Sequence, residues 1–167
     1  TKNDTSQDFY KSVSFLNQKN DSLSINNVIK LYQKGDFNIA MENKVFYDLK
    51  GKESTWLSFK INPKETNQYF SIWNPFLEYS KVYTLNSNKV DTLRTFSLWN
   101  KNEKKWDYRF PNWKIEKSNT ETIVFIKVKD NKNKSALKLL LQNEADFNTF
   151  IAKDFTVISI QASFLLV

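Results

Sequence analysis

Between Thr55 and Ile61 apolar and polar side chains alternate, with Leu57, Phe59 and Ile61 on one side and Trp56, Ser58 and Lys60 on the other. A strand with one buried face has this period of two. The stretch 67–73 repeats it, with Phe70 and Ile72 opposing Tyr69, Ser71 and Trp73. So does 122–129, where Val124, Ile126 and Val128 oppose Ile123, Phe125 and Lys127. The first set of each belongs in a core. The second sets mix aromatic rings with Ser and Lys, which is unusual for plain solvent exposure. The same reading predicts strands at 44–49, 55–61, 67–73, 78–85, 88–95, 105–110, 122–129 and 135–141.

Helical spacing is confined to two places. Ile25, Val28, Ile29 and Tyr32 share a face over 25–33, with Ser24 placed to cap the free amides and Gly35 where a left-handed residue ends a helix. Asn143 caps a brief second helix that puts Phe147, Phe150 and Ile151 on one side. Asn86–Ser87–Asn88 reads as a tight hairpin, and Asp130–Asn131–Lys132–Asn133 as the turn joining another pair of strands. Many short strands at this spacing argue for an antiparallel sandwich or barrel in a single domain. Residues 1–21 read as a polar leading segment with a short strand near Val13, 22–154 as the β-sandwich, and 155–167 as a final strand, the start of a membrane helix, or both. That last run is uncharged but shorter than the about 20 apolar residues a spanning helix needs.

Composition narrows the chemistry. The 167 residues suffice for one core. Aromatics at 16 % favour strands, and with only two Gly the turns fall to Asn, Asp and Ser. There is no Cys and no His, which excludes disulfides and thiolate metal sites and is compatible with any compartment. The net charge of +7 is spread along the chain, as on an ordinary solvated basic surface. Because the chain opens on Thr1, a mature or excised piece is expected, and a missing leader says nothing about export.

The residues so far resemble the type 2 extracellular sensing domain of bacterial seven-transmembrane receptors with diverse intracellular signalling modules. Thr55–Trp56–Leu57–Ser58–Phe59 is similar to that family's "YWLRF"-like strand, and Asn74–Pro75–Phe76–Leu77–Glu78–Tyr79–Ser80–Lys81–Val82–Tyr83 to its "NPLLDxVxLY"-like segment, with Glu78 in the acidic place. Asp107–Tyr108–Arg109–Phe110–Pro111 resembles the later "NFVFP"-like strand, and Glu144–Ala145–Asp146–Phe147 the opening of the closing helix. The resemblance covers roughly 24–153. It implies a jelly-roll β-sandwich related to carbohydrate-binding modules, outside the cytoplasmic membrane of a bacterium, followed by a membrane region and an intracellular kinase or cyclase output. The chain departs where relatives carry basic residues: Ser58 replaces the Arg of "WLRF", and Lys105–Trp106 stand where "HR" is often seen.

A sugar site needs flat aromatic faces and a few fixed polar groups. Trp99, Trp106 and Trp113 cluster around a Lys-rich loop, and with Trp73 and Glu78 they are placed to form an edge or the concave face of the sandwich. Burial at the open ends of the core is the competing role for each Trp. Lys105 and Arg109 join them as candidate ligand contacts. Stacking platforms with basic rims also suit nucleic acid, but the glycine-containing aromatic motif of an RNA-recognition sheet is absent, which argues against it. No catalytic motif, metal site or cofactor fingerprint occurs, so a non-enzyme is expected. The expected function is an extracytoplasmic sensor for a carbohydrate-like or other envelope ligand, membrane-tethered, with a homodimer permitted. The alternatives are a structural dimerisation or protein-docking module, or a free-standing glycan-binding module.

Overall fold

The computed structural model describes residues 13–18, 22–39, 45–46, 54–62, 67–73, 77–87, 89–97, 111–130 and 136–164. Along the chain run β1 (Ser14–Gln18), α1 (Ile25–Lys34), β2 (Asn38–Ile39), β3 (Val45–Phe46), β4 (Ser54–Ile61), β5 (Gln68–Trp73), β6 (Leu77–Asn86), β7 (Lys89–Ser97), β8 (Asn112–Ile115), β9 (Thr122–Asp130), β10 (Ala136–Asn143) and α2 (Glu144–Phe164). Among the described residues the strands form two antiparallel sheets, a larger one in the order β2-β1-β4-β9-β6-β7 and a smaller one in the order β3-β10-β5-β8. The pairings nest: β6 with β7, β5 with β8, β4 with β9 and β3 with β10. The chain thus behaves as one long hairpin rolled up so that successive pairs fall alternately in the two sheets. Ser14–Gln18, in the polar leading segment, is an inner strand paired with both β2 and β4.

The alternation expected of the sequence sets the layers. Leu57 and Phe59 of β4, Phe70 and Ile72 of β5, and Val124 and Ile126 of β9 are buried in one core between the sheets. Phe59 and Phe70 meet across it with ring centroids 5.0 Å apart. Fully burying such a side chain contributes about 1.5–3 kcal/mol. The mixed second face of the larger sheet is explained by α1, which lies on it and packs Val28 against Trp56 and Phe125. Tyr32 meets Phe125 edge-on at 5.3 Å. Ser24 caps the start of α1, accepting from the Asn27 amide, and Gly35 ends it at φ 82°. There the amides of Gly35 and Asp36 donate to Tyr32 and Leu31, which satisfies carbonyls that would otherwise be orphaned.

The second helix covers the other outer face. Phe147 stacks on Tyr69 of β5 at 4.2 Å and 8°. Asn143 caps it reciprocally, its Oδ1 accepting from the Asp146 amide and its Nδ2 donating to the Asp146 carboxylate. The helix then continues to Phe164 instead of ending early. The strand expected within 155–167 is therefore a correction, since neither Gly nor Pro interrupts the run from Glu144 to Phe164 and the hydrogen-bond ladder simply propagates. No helix among the described residues is long and apolar enough to cross a membrane.

Two further expectations change. Residues 131–133 of the turn expected at Asp130–Asn133 lie outside the described residues, and the strands on either side, β9 and β10, belong to different sheets and do not form a hairpin. The strand expected at 105–110 lies outside the described residues, and a strand not expected, β8, pairs with β5. The hairpin at Ser87 stands: Asn86 pairs with Lys89 and Ser87 takes a positive φ of 43°.

Candidate functional site

The expected ligand contacts are not gathered into one site among the described residues. Trp99, Lys105, Trp106 and Arg109 lie outside those residues. Trp73 ends β5 opposite Lys138 in the smaller sheet, whereas Glu78 sits on β6 in the larger one. Trp113 takes the core role: it is 3 % exposed and stacks on Phe70 at 5.9 Å, which leaves its faces to other side chains.

A different site emerges from the way the core-facing positions change character along the strands. On β6 they run Val82, Thr84, Asn86; on β9, Val124 is preceded by Thr122; on β7, Leu93 is preceded by Asp91. At this end of the sandwich the inward face turns from aliphatic to polar. Here β7 and β8, the edge strands on one side of the two sheets, leave a cleft of about 430 Å³. Thr84, Asn86, Asp91 and Thr122 line it from the larger sheet, and Lys114, Glu116 and Lys117 from β8 and the segment after it. Leu93 and Ile115 supply the apolar part. The volume suits a small ligand.

The walls are held in place. Thr122 Oγ1 donates to Asn86 Oδ1 at 2.6 Å, which orients the Asn86 amide and leaves its NH₂ for another acceptor. Asp91 is bridged by Lys89 at 3.1 Å. The segment after β8 is pinned by the Lys117 amide, which donates to Asn67 Oδ1 at 3.0 Å, and by a Ser118 turn that receives the Thr120 amide. Amide, hydroxyl, carboxylate and ammonium groups therefore face one space. Among the described residues, none that lines it is aromatic. Such polar groups can donate and accept hydrogen bonds. Among the described residues no group of three or more His, Cys, Asp or Glu could hold a metal.

Asn67 also connects the cleft to α2. Its Nδ2 donates to Glu144 Oε2 at 3.5 Å, and Tyr69 Oη donates to Glu144 Oε1 at 3.1 Å. One side chain thus touches the cleft wall with its carbonyl and the first residue of α2 with its amide. The change from aliphatic to polar at inward strand positions was legible in the sequence as the series Val82–Thr84–Asn86. Asn67 carried no signal, because its contacts join residues 50 and 77 positions away.

The comparisons with known proteins bear on this arrangement. No curated protein matches the chain. The family model described as 7TMR-DISM extracellular 2 matches residues 10–142, from just before β1 to the penultimate residue of β10. The chain belongs to this family of seven-transmembrane receptor extracellular domains, which places it on the extracytoplasmic side of the membrane with a sensing role.

Proposed function

We propose that the domain senses a carbohydrate-like or other hydroxyl-rich envelope ligand in the cleft between β7 and β8 and passes the event to α2. The observation that carries this reading is Asn67, hydrogen-bonded on one side to the Lys117 amide of the cleft wall and on the other to Glu144 at the head of α2. A ligand that shifts the segment after β8 changes that contact, and it biases α2 only by its differential affinity for the two arrangements. The domain acts without catalysis, and its signal goes to an intracellular kinase or cyclase module. Trp99, Lys105, Trp106 and Arg109, on the segment joining β7 to β8, are proposed as further ligand contacts together with Trp73 and Glu78 at the sheet ends. The nested strand pairing supports the jelly-roll relationship to carbohydrate-binding modules.

The test is a thermal-shift screen with neutral mono- and disaccharides on the wild type and on Asn86→Ala. Stabilisation by one sugar that Asn86→Ala abolishes is the expected outcome. No stabilisation by any sugar, in a protein whose dimerisation is disrupted by changes at α2, would instead favour the structural module.

A further inference from the structure

The wall of the cleft between β7 and β8 carries its polar groups in rows. The register of β6 and β7 sets Asn86 opposite Lys89 and, two residues along, Thr84 opposite Asp91. Directly opposed residues have Cβ atoms about 4.5–5.5 Å apart, and the two rows are about 6.8 Å apart along the strands. Beyond them the wall becomes aliphatic, with Leu93 packed against the core and Ile115 buried.

The hydrogen-bonding capacity left in these rows is specific. The contact between Thr122 Oγ1 and Asn86 is 2.6 Å long, which suits a hydroxyl donating to an oxygen and is too short for an amide donor. The Asn86 carbonyl oxygen is therefore turned to Thr122, and both N–H groups of Nδ2 are left for a ligand acceptor. Thr84 lines the cleft, is only 6 % exposed, and its hydroxyl makes no hydrogen bond among the described residues. Buried hydroxyls are as a rule hydrogen-bonded, which makes this one a contact open to a ligand. Asp91 gives one carboxylate oxygen to Lys89 at 3.1 Å and keeps the other for a further donor. The cleft thus sets an oriented donor, an unused hydroxyl and one acceptor beside an aliphatic wall.

We propose, on the reading of the cleft as the sensing site, that its ligand is a sugar bearing an acetamido group. The acetamido carbonyl accepts from Asn86 Nδ2, and its N–H donates to the remaining Asp91 oxygen. Its methyl covers Leu93 and Ile115, and the Thr84 hydroxyl meets a neighbouring hydroxyl of the ring. A plain hydroxyl in the same place sets no carbon against the aliphatic wall. A free ammonium leaves Asn86 without an acceptor and is repelled by Lys89, and a carboxylate is repelled by Asp91. The Lys89–Asp91 pair is neutral in sum, so an uncharged amide suits it best.

The experiment titrates the intact chain calorimetrically with N,N′-diacetylchitobiose, with its N-deacetylated form, and with cellobiose, which has hydroxyls in place of both acetamido groups. The expected result is that N,N′-diacetylchitobiose binds about tenfold more tightly than either of the others. Asn86→Asp keeps the acceptor for Thr122 but loses the donor, so it should abolish that preference while the melting temperature stays near that of the wild type. Should it misfold, Asp91→Ala, at a half-exposed position, carries the same test. Equal or tighter binding of cellobiose or of the deacetylated form, or a preference that survives in the variant, overturns the acetamido assignment and leaves the cleft a sugar site. Binding of none of the three overturns the sugar-sensing reading itself, and the acetamido assignment falls with it.

Discussion

The two helices cover opposite faces of the same sandwich, but they are attached in different ways. The helix α1 is closed at both ends, by Ser24 and by Gly35, and its apolar face settles around Trp56 and Phe125. The helix α2 is capped where it leaves β10, and Phe147 and Ile151 bury its first turns against Tyr69. Further along, Phe155 and Val157 are 52 % and 50 % exposed. One helix completes the core of the domain. The other is anchored at its head, where it also touches the cleft wall through Asn67, and continues past its anchor. This division of labour is what a sensor needs: one rigid layer against which a second element can shift.

Four substitutions sharpen or break the contrast, from the largest effect to the smallest. Trp56→Ala removes a fully buried indole from beneath α1 and should cost about 3–5 kcal/mol in denaturant unfolding. A cost below about 1 kcal/mol would show that α1 does not complete the core. Phe147→Ala should release α2 locally, speeding amide exchange over 144–157 while β4 and β9 keep their protection. Uniform loss of protection would make α2 part of the same cooperative unit as the core. Gly35→Ala forces a Cβ into the left-handed region and should cost about 1 kcal/mol, although open space surrounds it. An unchanged unfolding midpoint would mean that the α1 terminus adds nothing.

The smallest effect is electrostatic. The hydrogen bond and charge of Glu121 raise the Lys60 pKa above its ordinary value. A raised lysine pKa in the folded state stabilises below the unfolded pKa, and that stabilisation fades as the pH climbs through the folded value. Because the pair is exposed, Lys60→Met should leave the melting temperature unchanged within error at pH 7. A drop of several degrees would show that the pair carries more than a surface ion pair normally does.

Much of this fold was legible in the sequence because one rule governs it. Where one face is wholly apolar and the other mixed, as in 55–61 and 122–129, alternation identifies both the strand and its core side, even though α1 buries Trp56 and Phe125 on the mixed face. The α1 limits followed from Ser24 and Gly35, residues whose chemistry is local. What escaped detection is non-local. The short β8 has only Trp113 and Ile115 facing inward, too few to establish a period. The separation of β9 and β10 into different sheets depends on strand pairing, which a turn motif does not encode. The length of α2 was hidden by β-branched Thr156, Val157 and Ile158, which suit a strand until the preceding turns have nucleated a helix. Of the expected site residues, Trp113 drew notice as an aromatic but belongs to the core, whereas the cleft is lined by the modest Thr84, Asn86 and Thr122 at inward positions.

The central claim is that the cleft and α2 communicate through Asn67. Backbone amide spectra of the wild type and of Asn67→Ala, titrated with maltose, cellobiose and N,N′-diacetylchitobiose, test it most directly. The account predicts that at least one of these sugars perturbs Asn86, Lys117 and Thr122, and that the change reaches Glu144 and Phe147 in the wild type but stops short of them in Asn67→Ala. Perturbation of α2 that survives Asn67→Ala, or no perturbation of the cleft by any of the three sugars, would contradict it.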